Sequence, residues 1–122
     1  MTQFLQISDT HIVNTGSLVS GCLETSGPLK RLALRIAELQ FEVGSLDGIV
    51  VTGDVSDDGT AESYALFKSI LKPLDLPIFC IPGNHDARAS FRAAFDGAGY
   101  LPKAGKLNWQ HRLGALQVIG LD

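Results

Sequence analysis

Apolar and polar positions along the chain follow two alternating periods. The short run Phe4-Leu5-Gln6-Ile7 predicts a buried strand that ends at Ser8-Asp9. A polar stretch rich in Gly and Ser follows over residues 10–27. Connections longer than about 12–15 residues without structure are usually functional or mobile. Pro28 suits the first turn of a helix, and Leu29, Leu32, Ala33, Ile36, Leu39 and Val43 then recur at helical spacing up to a stop at Gly44. Gly48-Ile49-Val50-Val51 has the pattern of a central strand covered on both faces, and it runs into Thr52-Gly53-Asp54. A second helix fits residues 61–71, with Tyr64, Phe67, Ile70 and Leu71 on one side and Pro73 beyond its end. Pro77-Ile78-Phe79-Cys80-Ile81 predicts a third strand leading into Pro82-Gly83-Asn84-His85-Asp86, and a third helix is expected over 87–95. After a Gly-rich turn, residues 107–112 and 115–121 predict a hairpin around Leu113-Gly114. Strand and helix alternating three times over is the signature of an α/β layered domain.

A chain of 122 residues with 45% hydrophobic and 19% charged positions has room for one domain with a buried core. A net charge of −3 offers no basic patch, so no nucleic-acid polymer and no anionic membrane is expected as a partner. No apolar stretch approaches the roughly 20 residues of a membrane helix. Polar Thr2 and Gln3 lead straight into the first strand, so no signal peptide is expected and a cytoplasmic location follows. Cys22 and Cys80 lie far apart without C-x-x-C spacing. Cys80 sits in an apolar run and is expected to be a reduced, buried thiol.

In open α/β sheets, ligands bind beyond the carboxyl ends of the strands. The first three strand ends carry Asp9-x-His11, Gly53-Asp54 and Gly83-Asn84-His85-Asp86. Each therefore delivers a hard oxygen or imidazole ligand to one edge of the sheet. Carboxylate, imidazole and amide oxygen together suit Mn, Fe, Zn or Co rather than a thiolate site. Glycine before Asp54 and before Asn84 lets the backbone turn sharply as it leaves the strand. Taken singly, each motif is ordinary turn or cap chemistry. Three in order, each at a strand end and each separated by a helix, point to a metal cluster.

These residues, Asp9-x-His11, Gly53-Asp54-Val55-Ser56-Asp57-Asp58-Gly59 and Gly83-Asn84-His85-Asp86, resemble the calcineurin-like metallophosphoesterase superfamily. The surrounding sequence is similar to its cyclic-nucleotide and glycerophosphodiester phosphodiesterase branch. The resemblance implies the amino-terminal part of a four-layer α/β/β/α sandwich, with a dinuclear centre of divalent ions that hydrolyses small phosphodiesters. By that resemblance Asp9 and His11 bind the first metal, Asp54 bridges both, and Asn84 binds the second and touches the phosphate. His85 faces the substrate as a charge stabiliser or general acid, and Asp86 orients it. Phosphoprotein phosphatases of the superfamily carry Arg where Asp58 stands and Glu where Asp86 stands, so a protein phosphatase is not expected.

The resemblance also implies three further histidines downstream, one from a later strand end and two from a G-H-x-H motif. His111 is the only remaining histidine and is expected to be a strand residue, not a ligand. The chain is therefore expected to be a single, truncated domain, with too few ligands for its second metal and possible homo-oligomerisation through uncovered apolar strands. Three readings stay open at this point. The chain is the front part of a phosphodiesterase, or a non-catalytic metal-binding or interaction module, or an enzyme completed by another chain.

Overall fold

Three parallel strands, β1 (Phe4–Ile7), β2 (Gly48–Thr52) and β3 (Ile78–Ile81), form a sheet in the order β1-β2-β3 in the computed structural model, which describes residues Met1–Asp122. Parallel neighbours need long crossovers, and here each crossover carries a helix: α1 (Ser26–Val43), then α2 (Ala61–Leu71). Right-handed crossovers that advance in one direction place both helices on the same face of the sheet. α3 (Arg88–Phe95) follows β3 and packs beside α2. The last two strands, β4 (Trp109–Leu113) and β5 (Leu116–Gly120), form a separate antiparallel hairpin. All three parallel strands thus present their carboxyl ends at one edge, as expected.

Register sorts the side chains. Ile49 pairs with Leu5 and Ile78, and Val51 with Ile7 and Cys80, so these six residues share the helix-covered face. Ile49, Val51 and Cys80 are fully buried there, in one core with Leu29, Ile36, Tyr64 and Phe67. Tyr64 meets Phe91 and Phe95 edge-on at 5.7 and 6.0 Å between ring centres and joins α2 to α3, where Phe91 and Phe95 pack tilted at 4.7 Å. The opposite face carries Gly48, Val50 and Phe79, and the hairpin covers it. Phe79 packs on Trp109 at 5.7 Å and on His111 at 4.3 Å between ring centres. A Cβ at Gly120 would lie 2.3 Å from the Trp109 ring, so glycine is what lets the indole lie flat on the end of β5. The free edge of β3 is closed by side chains: the Tyr100 hydroxyl accepts from the Cys80 amide at 2.9 Å, and Trp109 Nε1 donates to the Cys80 carbonyl at 2.8 Å.

β2 is buried on both faces, as its unbroken apolar run predicts. β1 corrects the sequence reading of a buried strand: it is an edge strand, with Phe4 40% exposed and Gln6 exposed. Phe4 and Gln6 lie on the hairpin's side of the sheet, where the turn of the hairpin meets the chain at Thr2, whose hydroxyl accepts from the Ala115 amide, while both side chains stay exposed. The long connection over 10–27 is partly ordered as well, through a bridge between Val19 and Leu23 and a parallel bridge between Ile12 and Ser56. No helix is long and apolar enough to cross a membrane.

Candidate metal centre

The exits of β1 and β2 run side by side instead of diverging. Asp9 donates its amide to the Gly53 carbonyl at 3.1 Å, His11 to Asp54 at 2.9 Å and Ile12 to Val55 at 3.0 Å. Keeping this pairing while turning the side chains inward forces unusual backbone. Asp9, His11 and Asp54 adopt φ of 55°, 41° and 46°, a left-handed region that costs an L-residue about 1–2 kcal/mol. Such strain persists where the surroundings over-determine it, and it concentrates at functional sites.

The turned side chains converge. His11 Nε2 lies 3.7 Å from Asp9 Oδ1 and 3.8 Å from Asp54 Oδ2, and one ligand atom from each of the three residues falls within 4.8 Å of the others. Donors about 2.0–2.2 Å from a tetrahedral cation stand roughly 3.4 Å apart, so this spacing fits three ligands around one ion. Asp9 is open to solvent while Asp54 is largely buried. The set therefore has one wet side and one fixed side.

The loop after β3 locks onto Asp54. The His85 amide donates to Asp54 Oδ1 at 3.0 Å, and exposed Asn84 precedes it in the same turn. That approach requires Gly83, where a Cβ would stand 2.1 Å from Asp54 Oδ1 and 2.4 Å from its amide nitrogen. His85 Nδ1 lies 3.1 Å from both the carbonyl oxygen and Oδ1 of Asp57. The same Asp57 oxygen is 3.0 Å from His11 Nδ1, and the two imidazoles meet edge to face at 4.9 Å. The hydrogen bond to the Asp57 carbonyl raises the His85 pKa above the ordinary histidine value. The charges of Asp57 and Asp54 add to that rise against a smaller desolvation effect.

The hydrogen bonds of Asp86 go elsewhere than to the His85 ring. Its buried carboxylate accepts from four other donors: the amides of Val55 (3.1 Å), Ser56 (3.0 Å) and Gly83 (2.8 Å), and the Tyr64 hydroxyl (3.0 Å). Burial and then this carboxylate's charge push the Tyr64 phenol pKa up. Asp86 is the pin that holds the loop after β2 to the loop after β3. The group in reach of the His85 ring is Asp57, to which sequence reasoning gave no role. The available signal was its place three residues after Asp54, one turn's length beyond the strand end.

Arg88 ties the same loop from behind. Its guanidinium donates to the Gly83 and Asp86 carbonyls and, at 2.6 and 3.1 Å, to Asp122 Oδ1. His111 stands apart on β4 against Phe79, as expected of a strand residue. Beside Asp9 a groove of about 320 Å³ is walled by Ser8, Thr10, Leu23, Glu24 and Thr25. The far end of the long connection therefore borders the cluster.

The family model for the calcineurin-like phosphoesterase matches residues 2–121. The chain belongs to the calcineurin-like phosphoesterase family. Over 118 residues it is 34% identical to a probable glycerophosphodiester phosphodiesterase GpdQ of Arcobacter nitrofigilis, covering 97% of this chain and 42% of that protein. It is 33% identical to the 3',5'-cyclic adenosine monophosphate phosphodiesterase CpdA of Pseudomonas aeruginosa, over 87% of this chain and 38% of the other. It is 32% identical to CpdA of Vibrio vulnificus, over 98% and 43%. The chain thus belongs with the cyclic-nucleotide and glycerophosphodiester branch of the superfamily and spans about two fifths of the length of these relatives. Its parallel sheet with crossover helices is consistent with the amino-terminal part of the family fold. In this chain Asp58 serves the scaffold: one of its oxygens accepts from the hydroxyls of Ser56 and Thr60 and the Thr60 amide, at the start of α2.

Proposed function

We propose that the chain supplies the amino-terminal share of a dinuclear metal centre that hydrolyses small phosphodiesters of the cyclic-nucleotide or glycerophosphodiester class. The observation that carries this reading is the convergence of Asp9, His11 and Asp54 within 4.8 Å at the carboxyl edge of the sheet, in a calcineurin-like phosphoesterase. Asp9, His11 and Asp54 would hold a first divalent ion, and Asp54 with Asn84 would contribute to a second. Mn, Fe, Zn and Co all suit such mixed ligands. Divalent ions in such a site supply Lewis acidity, which generates a nucleophile from water at neutral pH and offsets charge on the phosphate.

The remaining roles belong to side chains of this chain. Hydrolysis joins a water oxygen to phosphorus and breaks the ester P–O bond, so the departing oxygen needs a proton. With Nδ1 held by Asp57, His85 has Nε2 free to deliver it, and its raised pKa keeps the ring charged at higher pH. The Asn84 amide, which is exposed, would touch a phosphate oxygen, and the groove beside Asp9 would receive part of the substrate. Two free cysteines, one buried and one exposed, support a reducing, cytoplasmic setting.

The test is hydrolysis of an activated phosphodiester by the purified chain with added Mn²⁺, with Asp54→Asn as the control. Turnover that vanishes in the variant supports the reading. Equal turnover in both contradicts it. An inactive chain that still binds Mn²⁺ through Asp54 leaves the chain as the metal-binding part of a longer enzyme.

A further inference from the structure

Helix α1 turns Leu29, Ala33 and Ile36 into the core, yet its outer side is not polar. Phe41 is 92% exposed and Leu34 68%, the most exposed large apolar side chains on any helix of the protein. Leu34, Ala37 and Phe41 follow Lys30 at alternating spacings of four and three residues, the spacing of a helix–helix seam. Beside the seam lies a groove of about 260 Å³ between α1 and the end of α2, walled by Leu34, Ala37, Ile70, Pro73 and Leu74.

The charges along this helix are ordered. Lys30, Arg31 and Arg35 come first along it, and Glu38 and Glu42 follow towards its end. Arg35 bridges to both Glu38 and Glu42 at 3.1 Å, whereas Arg31 has no ion pair within the chain. A helix that is basic, then acidic, is complementary to itself when reversed.

We infer that this face docks a second copy of the chain, α1 against α1, antiparallel about a twofold axis. A crossing centred between Arg35 and Ile36 sets Leu34 against Ala37 of the second copy. It also lays Phe41 over the apolar stem of Lys30 of the second copy, at the mouth of the groove. The same crossing brings Arg31 to Glu38 of the second copy, and the twofold makes this pair twice. A parallel arrangement would set Arg31 against Arg31, and an apolar partner would leave Arg31 unmatched. None of these residues belongs to the metal cluster, so the interface stands or falls independently of the proposed activity.

The experiment is sedimentation of the full 122-residue chain across micromolar to millimolar concentrations. A monomer–dimer equilibrium is expected, with Phe41→Glu raising Kd at least tenfold while circular dichroism shows the fold retained, since the position is exposed. Arg31→Glu alone and Glu38→Arg alone should each weaken self-association by setting like charges together. Mixed in equal amounts, these two variants should form a heterodimer at least tenfold tighter than either homodimer, because both crossed pairs are then opposite in sign. Three results would overturn the inference: a monomer throughout, a Phe41→Glu chain that dimerises like the parent, or a mixture no tighter than its components. Association through the open edge of β1 would appear as the second of these.

Discussion

Gly83→Ala adds a single methyl group at the point where the loop after β3 meets Asp54. That methyl would stand 2.1 Å from Asp54 Oδ1 and 2.4 Å from the Asp54 nitrogen. Both separations are far below contact distance, and one of the atoms is backbone, so a side-chain rotation cannot absorb the clash. The exit of β2 must move away from the loop. Overpacking of this kind costs about 1–3 kcal/mol. An unfolding entropy of about 2.1 cal/mol/K per residue over 122 residues gives about 0.26 kcal/mol/K, so a loss of about 2 kcal/mol lowers Tm by roughly 8 °C. Separation of the two loops also breaks the bond from the His85 amide to Asp54 Oδ1, which helps fix the ligand. Mn²⁺ affinity should fall with stability. Gly97→Ala is the matched control, because a Cβ there meets nothing within 4 Å and its φ is not positive. It should leave Tm unchanged or raise it slightly. Scanning calorimetry and isothermal titration with Mn²⁺ measure both quantities. If Gly83→Ala matched Gly97→Ala in Tm and in Mn²⁺ affinity, the reasoning that packs this loop onto Asp54 would be wrong.

Asp86→Ala should destabilise the chain by about 3–5 kcal/mol in urea unfolding, because it strips the acceptor from three amides and the Tyr64 hydroxyl at a buried position; a loss under about 1 kcal/mol would contradict its role as the pin. Asp57→Asn should change stability little but lower the His85 titration midpoint, followed by NMR of the ring, towards the ordinary value of about 6.5. In the metal-free chain that midpoint should lie above the ordinary value. A raised folded-state pKa means that this contribution is present below the unfolded-state value and lost as pH rises through the folded-state value. Arg88→Ala should cost about 1 kcal/mol and quicken amide exchange at Asn84 and His85, since it frees the Gly83 and Asp86 carbonyls from the clamp to Asp122.

Much of the sheet was legible because its signals are local. The unbroken run Gly48-Ile49-Val50-Val51 marks a strand covered on both faces, and β2 is so covered. Tyr64, Phe67, Ile70 and Leu71 share one side of α2 and are all buried. What stayed hidden depends on tertiary neighbours. The same apolar composition serves a buried strand and β1, whose exposure follows from its place at the edge of the sheet. Leu39 and Val43 fit the core spacing of α1 but are not buried, whereas the outlying pair Leu34 and Phe41 defines its second apolar face. At the candidate site, residue types and strand ends were enough to nominate Asp9, His11 and Asp54. Two carboxylates near one imidazole cannot be assigned by sequence distance. Asp86 is adjacent to His85 yet is turned towards the amides of Val55 and Ser56, while Asp57, 28 residues away, faces the ring. The loop crossing decides that assignment, and it exists only in the folded chain.

The central claim is that Asp9, His11 and Asp54 form a ligand set for a divalent cation, and the most direct test is Mn²⁺ titration of the purified chain, read by electron paramagnetic resonance. Binding should be lost on Asp54→Asn and preserved on His111→Ala, with both variants still folded by circular dichroism. A folded Asp54→Asn chain that binds Mn²⁺ as well as the parent, or a folded parent that binds none at millimolar Mn²⁺, would contradict the claim.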